Sequence, residues 1–204
     1  MDWQPLILTF KLALVTTFLL LIVSIPISYW LAYSKSRIKP IIETLVSMPL
    51  VLPPTVLGFY LLVVFSPNSV IGAWLDQNLG IQLIFSFRGL VFASMIYSLP
   101  FMVHPIQAGF SNLSRSIIEA SYVLGKSRRK TLFHVLLPNI KPSLLTGIVL
   151  AFAHTIGEFG VVLMIGGNMP GKTKVASIAI YDEVEALNYS LANWYSLILF
   201  AITF

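Results

Sequence analysis

Long apolar runs separated by short polar loops are the feature that most constrains this sequence. A helix needs about 20 mainly apolar residues to cross the hydrocarbon core of a bilayer. Runs of that length recur along the chain, where hydrophobic residues make up 57% and charged residues only 10%. A soluble domain usually has roughly a quarter of charged residues to cover its surface. The composition therefore predicts an all-α integral membrane protein.

We expect about five transmembrane helices in a single domain, residues 1–204. The predicted spans are Leu6–Tyr33, Pro40–Phe65, Gly89–Phe110, Pro142–Ile165 and Leu191–Phe204. The last would rise only about 21 Å at 1.5 Å per residue, so we expect it to be truncated and the natural chain to continue past Phe204. The first span has no flanking basic segment or cleavage site typical of a signal peptide, so we expect it to remain in the mature protein.

Basic residues indicate the orientation. Lys35, Arg37 and Lys39 lie in the loop after the first span, and six more lysines and arginines lie in or beside a polar segment, residues 111–141. Positive charge favours the cytoplasmic side of membrane proteins. Both basic loops fall on one side if five spans alternate, which predicts a cytoplasmic segment 111–141 and an N-terminus outside. Loop 66–88, with room for a short interfacial helix, and loop 166–190 would then lie outside.

Several classes of chemistry are excluded or disfavoured. The chain has no cysteine, which removes disulfides, thiolate metal sites and thiol catalysis. Gly171-Lys172-Thr173 follows no predicted strand and is not a phosphate-binding loop. We expect no catalytic site, no metal, no cofactor bound by this chain and no nucleic acid. His104 and His154 lack a second ligand at metal spacing, and we interpret them as packed or hydrogen-bonded residues.

Two places within the spans are candidates for a translocation pathway or gate. An ionisable residue inside a span, here Glu158, usually marks a functional interior, and small neighbours permit close helix contacts. A lone carboxylate would repel a dianion, so we expect a helix contact or hinge rather than a substrate ligand. Consecutive prolines break the second span, with a simple packing kink as the alternative. The pathway candidates are Pro53, Pro54, Thr55, Gly157, Glu158 and Gly160.

Segment 111–141 has the punctuation of two short helices. Ser116 and Glu119 fit a capping box, in which hydroxyl and carboxylate satisfy free N–H groups. The first helix should run from about Ile117 to Leu124 and end at Gly125, where a left-handed conformation costs least. Ser127 is the expected cap of a second helix, which Pro138 should close. By themselves these features also fit an interfacial connector in which Glu119 is only a cap.

The same segment resembles the EAA loop of permeases in ATP-binding-cassette (ABC) importers. Glu119-Ala120-Ser121 is followed by three residues, Gly125, nine residues and Val135-Leu136-Leu137-Pro138. The family pattern has alanine at Ser121 and isoleucine at Val135. The resemblance implies a type I importer fold with a coupling helix that docks on an ATPase subunit. Its implied coupling residues are Glu119, Ala120, Ser121, Gly125, Leu137 and Pro138.

Residues 48–58 and 154–173 are similar to permeases of molybdate ABC transporters. The implied function is import of molybdate, with tungstate as a second candidate, by alternating access. Sulfate permeases share a related segment, so a sulfate or thiosulfate importer stays an alternative. A self-powered secondary transporter is less favoured because we find no inverted repeat.

The resemblance also implies partners in a bacterial inner membrane. Two cytoplasmic ATPase subunits would use ATP and Mg²⁺, and a periplasmic or extracellular oxyanion-binding protein would deliver the substrate. Five spans are few to enclose a pathway, so we expect a second copy of the chain to complete it.

Overall fold

Helices form all the regular structure that the computed structural model describes, which covers residues 2–203, and no strand occurs there. In chain order the helices are α1 (Gln4–Tyr33), α2 (Lys39–Val51), α3 (Pro54–Phe65), α4 (Val70–Leu79), α5 (Phe87–Ser111), α6 (Arg115–Val123), α7 (Arg128–Thr131), α8 (Leu137–Asn139), α9 (Lys141–Ile156), α10 (Gly160–Gly166), α11 (Ala176–Glu185) and α12 (Tyr189–Thr203). A π-helical turn, Leu132–Leu136, joins α7 to α8. The all-α prediction is confirmed.

The two faces of α1 show why this bundle belongs in a membrane. Its buried face carries small and hydroxyl side chains such as Thr9, Ala13 and Ser24. The opposite face presents large apolar side chains, among them Ile7 and Phe18, each 64% exposed. Small residues let helices approach closely inside a bilayer, and contiguous exposed apolar surface of this size marks contact with lipid or another protein.

Helices α1, α5 and α9 form the centre of the bundle. The spacing of α5 and α9 depends on two glycines. A Cβ atom on Gly109 would lie 2.7 Å from Cβ of Ser143, and one on Gly147 would lie 3.1 Å from Sδ of Met102. Both helices therefore approach at distances that a larger residue at Gly109 would not permit.

Two predicted spans are confirmed as long, apolar helices. Both α1 and α5 are long and apolar enough to cross a membrane. The fifth predicted span is α12, of which 15 residues are described. The short helix expected between the second and third spans is α4, whose N-cap Ser69 accepts a hydrogen bond from the Gly72 N–H at 2.9 Å.

The second predicted span is broken in two, as its consecutive prolines indicated. Its residues form α2 and α3, whose axes are bent by 114° at the break between them. The break lies at Leu52 and Pro53, with Pro54 opening α3. Neither proline has an N–H to donate to the turn before it, so the helix cannot continue.

The fourth predicted span is also interrupted. Helix α9 ends at Ile156 and α10 begins at Gly160, with residues 157–159 between them. At its other end, α9 is bent by 77° from residues 128–139. By length and composition, residues 2–203 contain two spanning helices, or up to four spans if each bent pair is one. The predicted number of five is therefore approximate, and the orientation derived from it stays a prediction.

The glycine contact between α5 and α9 can be tested by adding one methyl group. We expect Gly109→Ala to destabilise the protein by about 1–3 kcal/mol, because overpacking displaces Ser143 on α9. Gly157→Ala is the matched control, since its Cβ would meet only two carbonyl oxygens at 3.8 Å. The measurement is thermal unfolding of the purified protein in detergent. Equal melting temperatures for the two variants would contradict the assigned contact.

Candidate functional site

Helix α6 follows α5 and ends at Val123, and Gly125 is the left-handed residue that terminates it, as predicted. Gly125 adopts the left-handed conformation with φ 72°. The Lys126 N–H donates to the Ser121 carbonyl at 3.1 Å, and the Gly125 N–H donates to the Tyr122 carbonyl at 2.9 Å. These bonds form a glycine C-cap that satisfies the last carbonyls of the helix. The chain then turns into α7, whose predicted N-cap, Ser127, accepts a hydrogen bond from the Lys130 N–H at 3.4 Å.

The predicted capping box at the start of α6 is wrong. The N-cap is Ser114, whose hydroxyl accepts from the Ser116 N–H at 3.3 Å. Ser116 instead pairs its own hydroxyl with that of Ser114 at 2.7 Å. Glu119 is exposed and makes no hydrogen bond or ion pair with any residue among 2–203. Its carboxylate therefore has no capping role and is free to meet a partner.

The other predicted coupling residues of α6 divide into an exposed and a buried group. Ala120 lies exposed beside Glu119. Ser121 is buried, and its hydroxyl bonds that of Thr131 at 2.9 Å, which fixes α6 against α7. Two apolar residues that sequence reasoning missed, Val123 and Leu124, are 87% and 76% exposed. The sequence signal that could have found them is a pair of adjacent large apolar residues inside a basic loop.

Pro138 does not close the second helix, contrary to the prediction. Helicity continues to Asn139, and the preceding turn is a π-helix. Pro138 has no N–H to donate to the carbonyl one turn earlier, and its ring would clash with a regular α-helical turn. The wider π-helical turn leaves room for the ring. Leu137 is half-buried and Pro138 is exposed on this bend. The chain bends only after Ile140, where α9 begins.

The break before α3 and the break before α10 lie against each other. A Cβ atom on Gly160 would lie 2.9 Å from Cβ of Pro54 and 3.3 Å from both Cγ2 and the backbone nitrogen of Thr55. Only glycine fits there without displacing α3. Gly157 has no comparable contact, so the expectation of close approach holds for Gly160 and not for Gly157.

A cavity with a volume of ≈ 460 Å³ lies where these breaks meet. It has polar groups in its wall from α3, α5 and the α9–α10 break. Five of the six predicted pathway residues line it: Pro54, Thr55, Gly157, Glu158 and Gly160. Pro53 lies outside the lining. We call this space the break cavity.

Glu158 is the buried acid of this site, at 4% exposure. Neither carboxyl oxygen makes a hydrogen bond of good geometry among residues 2–203, and the buried Ser94 hydroxyl is the side-chain group close enough to pair with it. The backbone carbonyl of Glu158 accepts a hydrogen bond from the Ser177 hydroxyl of α11 at 2.6 Å. The loop helix α11 is therefore attached directly to the break.

Both span histidines are hydrogen-bonded, as predicted. His104 Nε2 lies 3.2 Å from the hydroxyl of Ser47, and His154 Nδ1 lies 2.9 Å from that of Ser98. Of the two, only His154 lines the break cavity, together with Tyr97. Sequence reasoning did not place either of these residues in the site, because the cavity forms between distant helices.

Comparison with known proteins identifies the relatives of this chain. The molybdenum transport system permease protein ModB of Azotobacter vinelandii is 50% identical over 194 residues, which cover 95% of this chain and 85% of that protein. The putative molybdenum transport system permease protein YvgM of Bacillus subtilis (strain 168) is 36% identical over 190 residues, covering 93% and 84%.

A probable sulfate transport system permease protein, cysT of Nephroselmis olivacea, is 35% identical over 155 residues, covering 76% of this chain and 54% of that protein. A protein family described as binding-protein-dependent transport system inner membrane component matches residues 24–204. That match spans most of the chain, including the α6 segment and both helix breaks. The chain therefore belongs to the family of inner membrane components of binding-protein-dependent transport systems.

Proposed function

We propose that this chain is the permease subunit of an ATP-driven ABC importer that moves molybdate into the cytoplasm by alternating access. The observation that carries the proposal is the 50% identity, over 95% of the chain, with a molybdenum transport permease. Tungstate has the same tetrahedral shape and charge and is a second candidate substrate. Sulfate is the weaker alternative, because the probable sulfate permease of Nephroselmis olivacea is 35% identical to this chain, against 50% for the molybdenum permease.

The α6 segment is the proposed docking point for the ATPase. Its exposed surface combines the unpaired Glu119 carboxylate with Ala120, Val123 and Leu124. An exposed apolar patch beside a free charge is typical of a protein interface. Ser121 and Gly125 hold this surface at its angle to α7, and Leu137 and Pro138 form the bend that leads to α9.

The complete transporter would contain two permease chains, two ATPase subunits and an outer binding protein. ATP and Mg²⁺ would be bound by the ATPase subunits, and this chain would hold no cofactor or catalytic group. Segment 111–141 would face the cytoplasm and the N-terminus would lie outside, which agrees with the positive residues of both basic loops. ATP binding would draw the two α6 helices together and turn the permease pair outward.

The break cavity is the proposed gate. Pro54, Thr55, Gly157, Glu158 and Gly160 line it, and Pro53 creates the break on the α3 side. Non-helical backbone at membrane depth is tolerated only where protein or a water-filled cavity surrounds it. Two such segments in contact fit a point where the pathway opens and closes.

The coupling role of α6 predicts a selective loss in Gly125→Pro. Proline requires φ near about −65°, whereas Gly125 has φ 72°, so the turn between α6 and α7 cannot form. We expect molybdate uptake into vesicles to be abolished while the permease still inserts in the membrane. Gly80→Pro is the matched control, because Gly80 after α4 has φ 61° and equally open surroundings. Normal uptake by Gly125→Pro would rule out this coupling segment.

The substrate proposal predicts which cargo activates the transporter. Permease, ATPase and binding protein are reconstituted in vesicles, and ATP hydrolysis is measured with the binding protein loaded with molybdate or with sulfate. We expect the molybdate-loaded form to stimulate hydrolysis and the sulfate-loaded form to leave it near the basal rate. Stimulation by sulfate alone would replace molybdate with sulfate as the transported ion.

A further inference from the structure

A chain of hydrogen bonds holds His154 at the wall of the break cavity. His154 Nδ1 lies 2.9 Å from the hydroxyl oxygen of Ser98, which lies 3.0 Å from that of Thr155. The Thr155 hydroxyl donates to the Ala151 carbonyl at 2.8 Å. Ser98 and Thr155 are buried, at 0% and 1% exposure, so no solvent competes for these bonds.

The protons of this chain can be assigned one by one, because each hydroxyl has a single proton to donate. Thr155 uses its proton on Ala151 and therefore accepts the proton of Ser98. Ser98 is left with only lone pairs for His154, so Nδ1 must carry the proton in that bond. Nε2 is then the free ring nitrogen, with no hydrogen bond to any residue among 2–203.

The surroundings of the ring also tolerate a positive charge. The rings of Phe101 and Tyr97 lie beside it, with centroids at 4.0 Å and 4.7 Å from the imidazole. Aromatic faces attract cations, and the bond from Nδ1 to Ser98 is the same in the neutral and the doubly protonated ring. A second proton on Nε2 therefore breaks no contact.

Few other titratable groups face this ring. The other titratable side chains in the lining of the break cavity are Tyr97 from α5 and Glu158 from the break. No lysine or arginine among residues 2–203 lines this cavity. On the neighbouring helices, Lys11 of α1 lies 5.0 Å from the ring centroid of Phe87. His104 of α5 bonds to Ser47. His154 is thus the one side chain of the described cavity wall that can become positive.

We propose that His154 contacts the transported oxyanion, and that its Nε2 takes up a proton from solvent as the dianion enters the break cavity. An isolated charge at this depth is costly, so the ring is neutral while the cavity is empty. A tetrahedral dianion supplies the compensating charge, and by linkage the proton and the anion each favour binding of the other. The Thr55 hydroxyl on α3 is a second donor in the same lining. The inference rests on the proposed function, since the anion brings the charge.

A histidine suits a transient contact better than a permanent cation. A pathway site must bind its ion well enough to admit it and weakly enough to release it. When the anion leaves, Nε2 loses its proton and the charge that would retain the next anion disappears.

The first test compares wild type, His154→Gln and His154→Arg in the complete transporter with its ATPase and loaded binding protein. We expect His154→Gln to reduce molybdate uptake about tenfold, because a charge-assisted hydrogen bond is lost. Wild-type uptake should fall as the pH rises, because the imidazole loses its proton. His154→Arg keeps its charge, so its uptake should not depend on pH.

Controls separate this role from a structural one. The melting temperature in detergent and co-purification with the ATPase subunits should match wild type in all variants, which reports intact folding and assembly. His104→Gln removes the other span histidine, which does not line the break cavity, and should leave the pH profile as in wild type. A His154→Gln transporter with wild-type uptake and the wild-type pH profile would overturn the inference.

Nitrogen-15 NMR of histidine-labelled permease gives a direct readout, because the chain has only three histidines. Saturating molybdate should produce an imidazolium signal in wild type that is absent from His154→Gln, and its absence from wild type would also overturn the inference. A failure of the proposed function can be distinguished from a failure of the His154 inference. If the wild-type transporter takes up sulfate and no molybdate, the proposed substrate is wrong, and the same variants then test His154 with sulfate.

Discussion

The close contact between Gly160 and the start of α3 is the constraint on which the candidate gate depends. A Cβ atom there would lie 2.9 Å from Pro54, so α3 and α10 can meet only through glycine. Because they meet, the two helix breaks enclose a common cavity, and the side chains of α3, α5 and the α9–α10 break share its wall. Without that contact, each break would be an isolated stretch of irregular backbone in a membrane, which is strongly disfavoured.

The proposed docking segment and the break cavity are connected by the central helices. Helix α5 runs from Tyr97 at the cavity to Ser111 before α6, a rise of about 21 Å at 1.5 Å per residue. Helix α9 runs alongside it from Lys141 to the break after Ile156. Their contact at Gly109 and Gly147 makes them a closely packed pair. In the proposed cycle, a push on α6 therefore reaches the cavity through packed helices rather than through flexible loops.

Local rules predicted some features of the α6 segment and failed at others for identifiable reasons. Gly125 and Ser127 were found because a left-handed turn and an N-cap each depend on one residue and its neighbours. The prediction of Ser116 as the N-cap of α6 was wrong because Ser114, two residues earlier, also fits a cap, and the sequence pattern could not choose between them. The prediction that Pro138 ends the second helix was wrong because a π-helical turn accommodates the proline. Tyr97 was missed because its place in the wall depends on how α5 packs against α9.

The sequence by itself determined the membrane class, the position of the helix break before α3 and the glycine turn after α6. These follow from the length of apolar runs, the missing N–H of proline and the backbone freedom of glycine, which are all local properties. Only the tertiary structure decided the 114° bend between α2 and α3, the meeting of the two breaks and the contact of His154 with Ser98. Those depend on contacts between distant residues: the Ser98 partner of His154 is 56 positions away, and no local pattern records such a pairing.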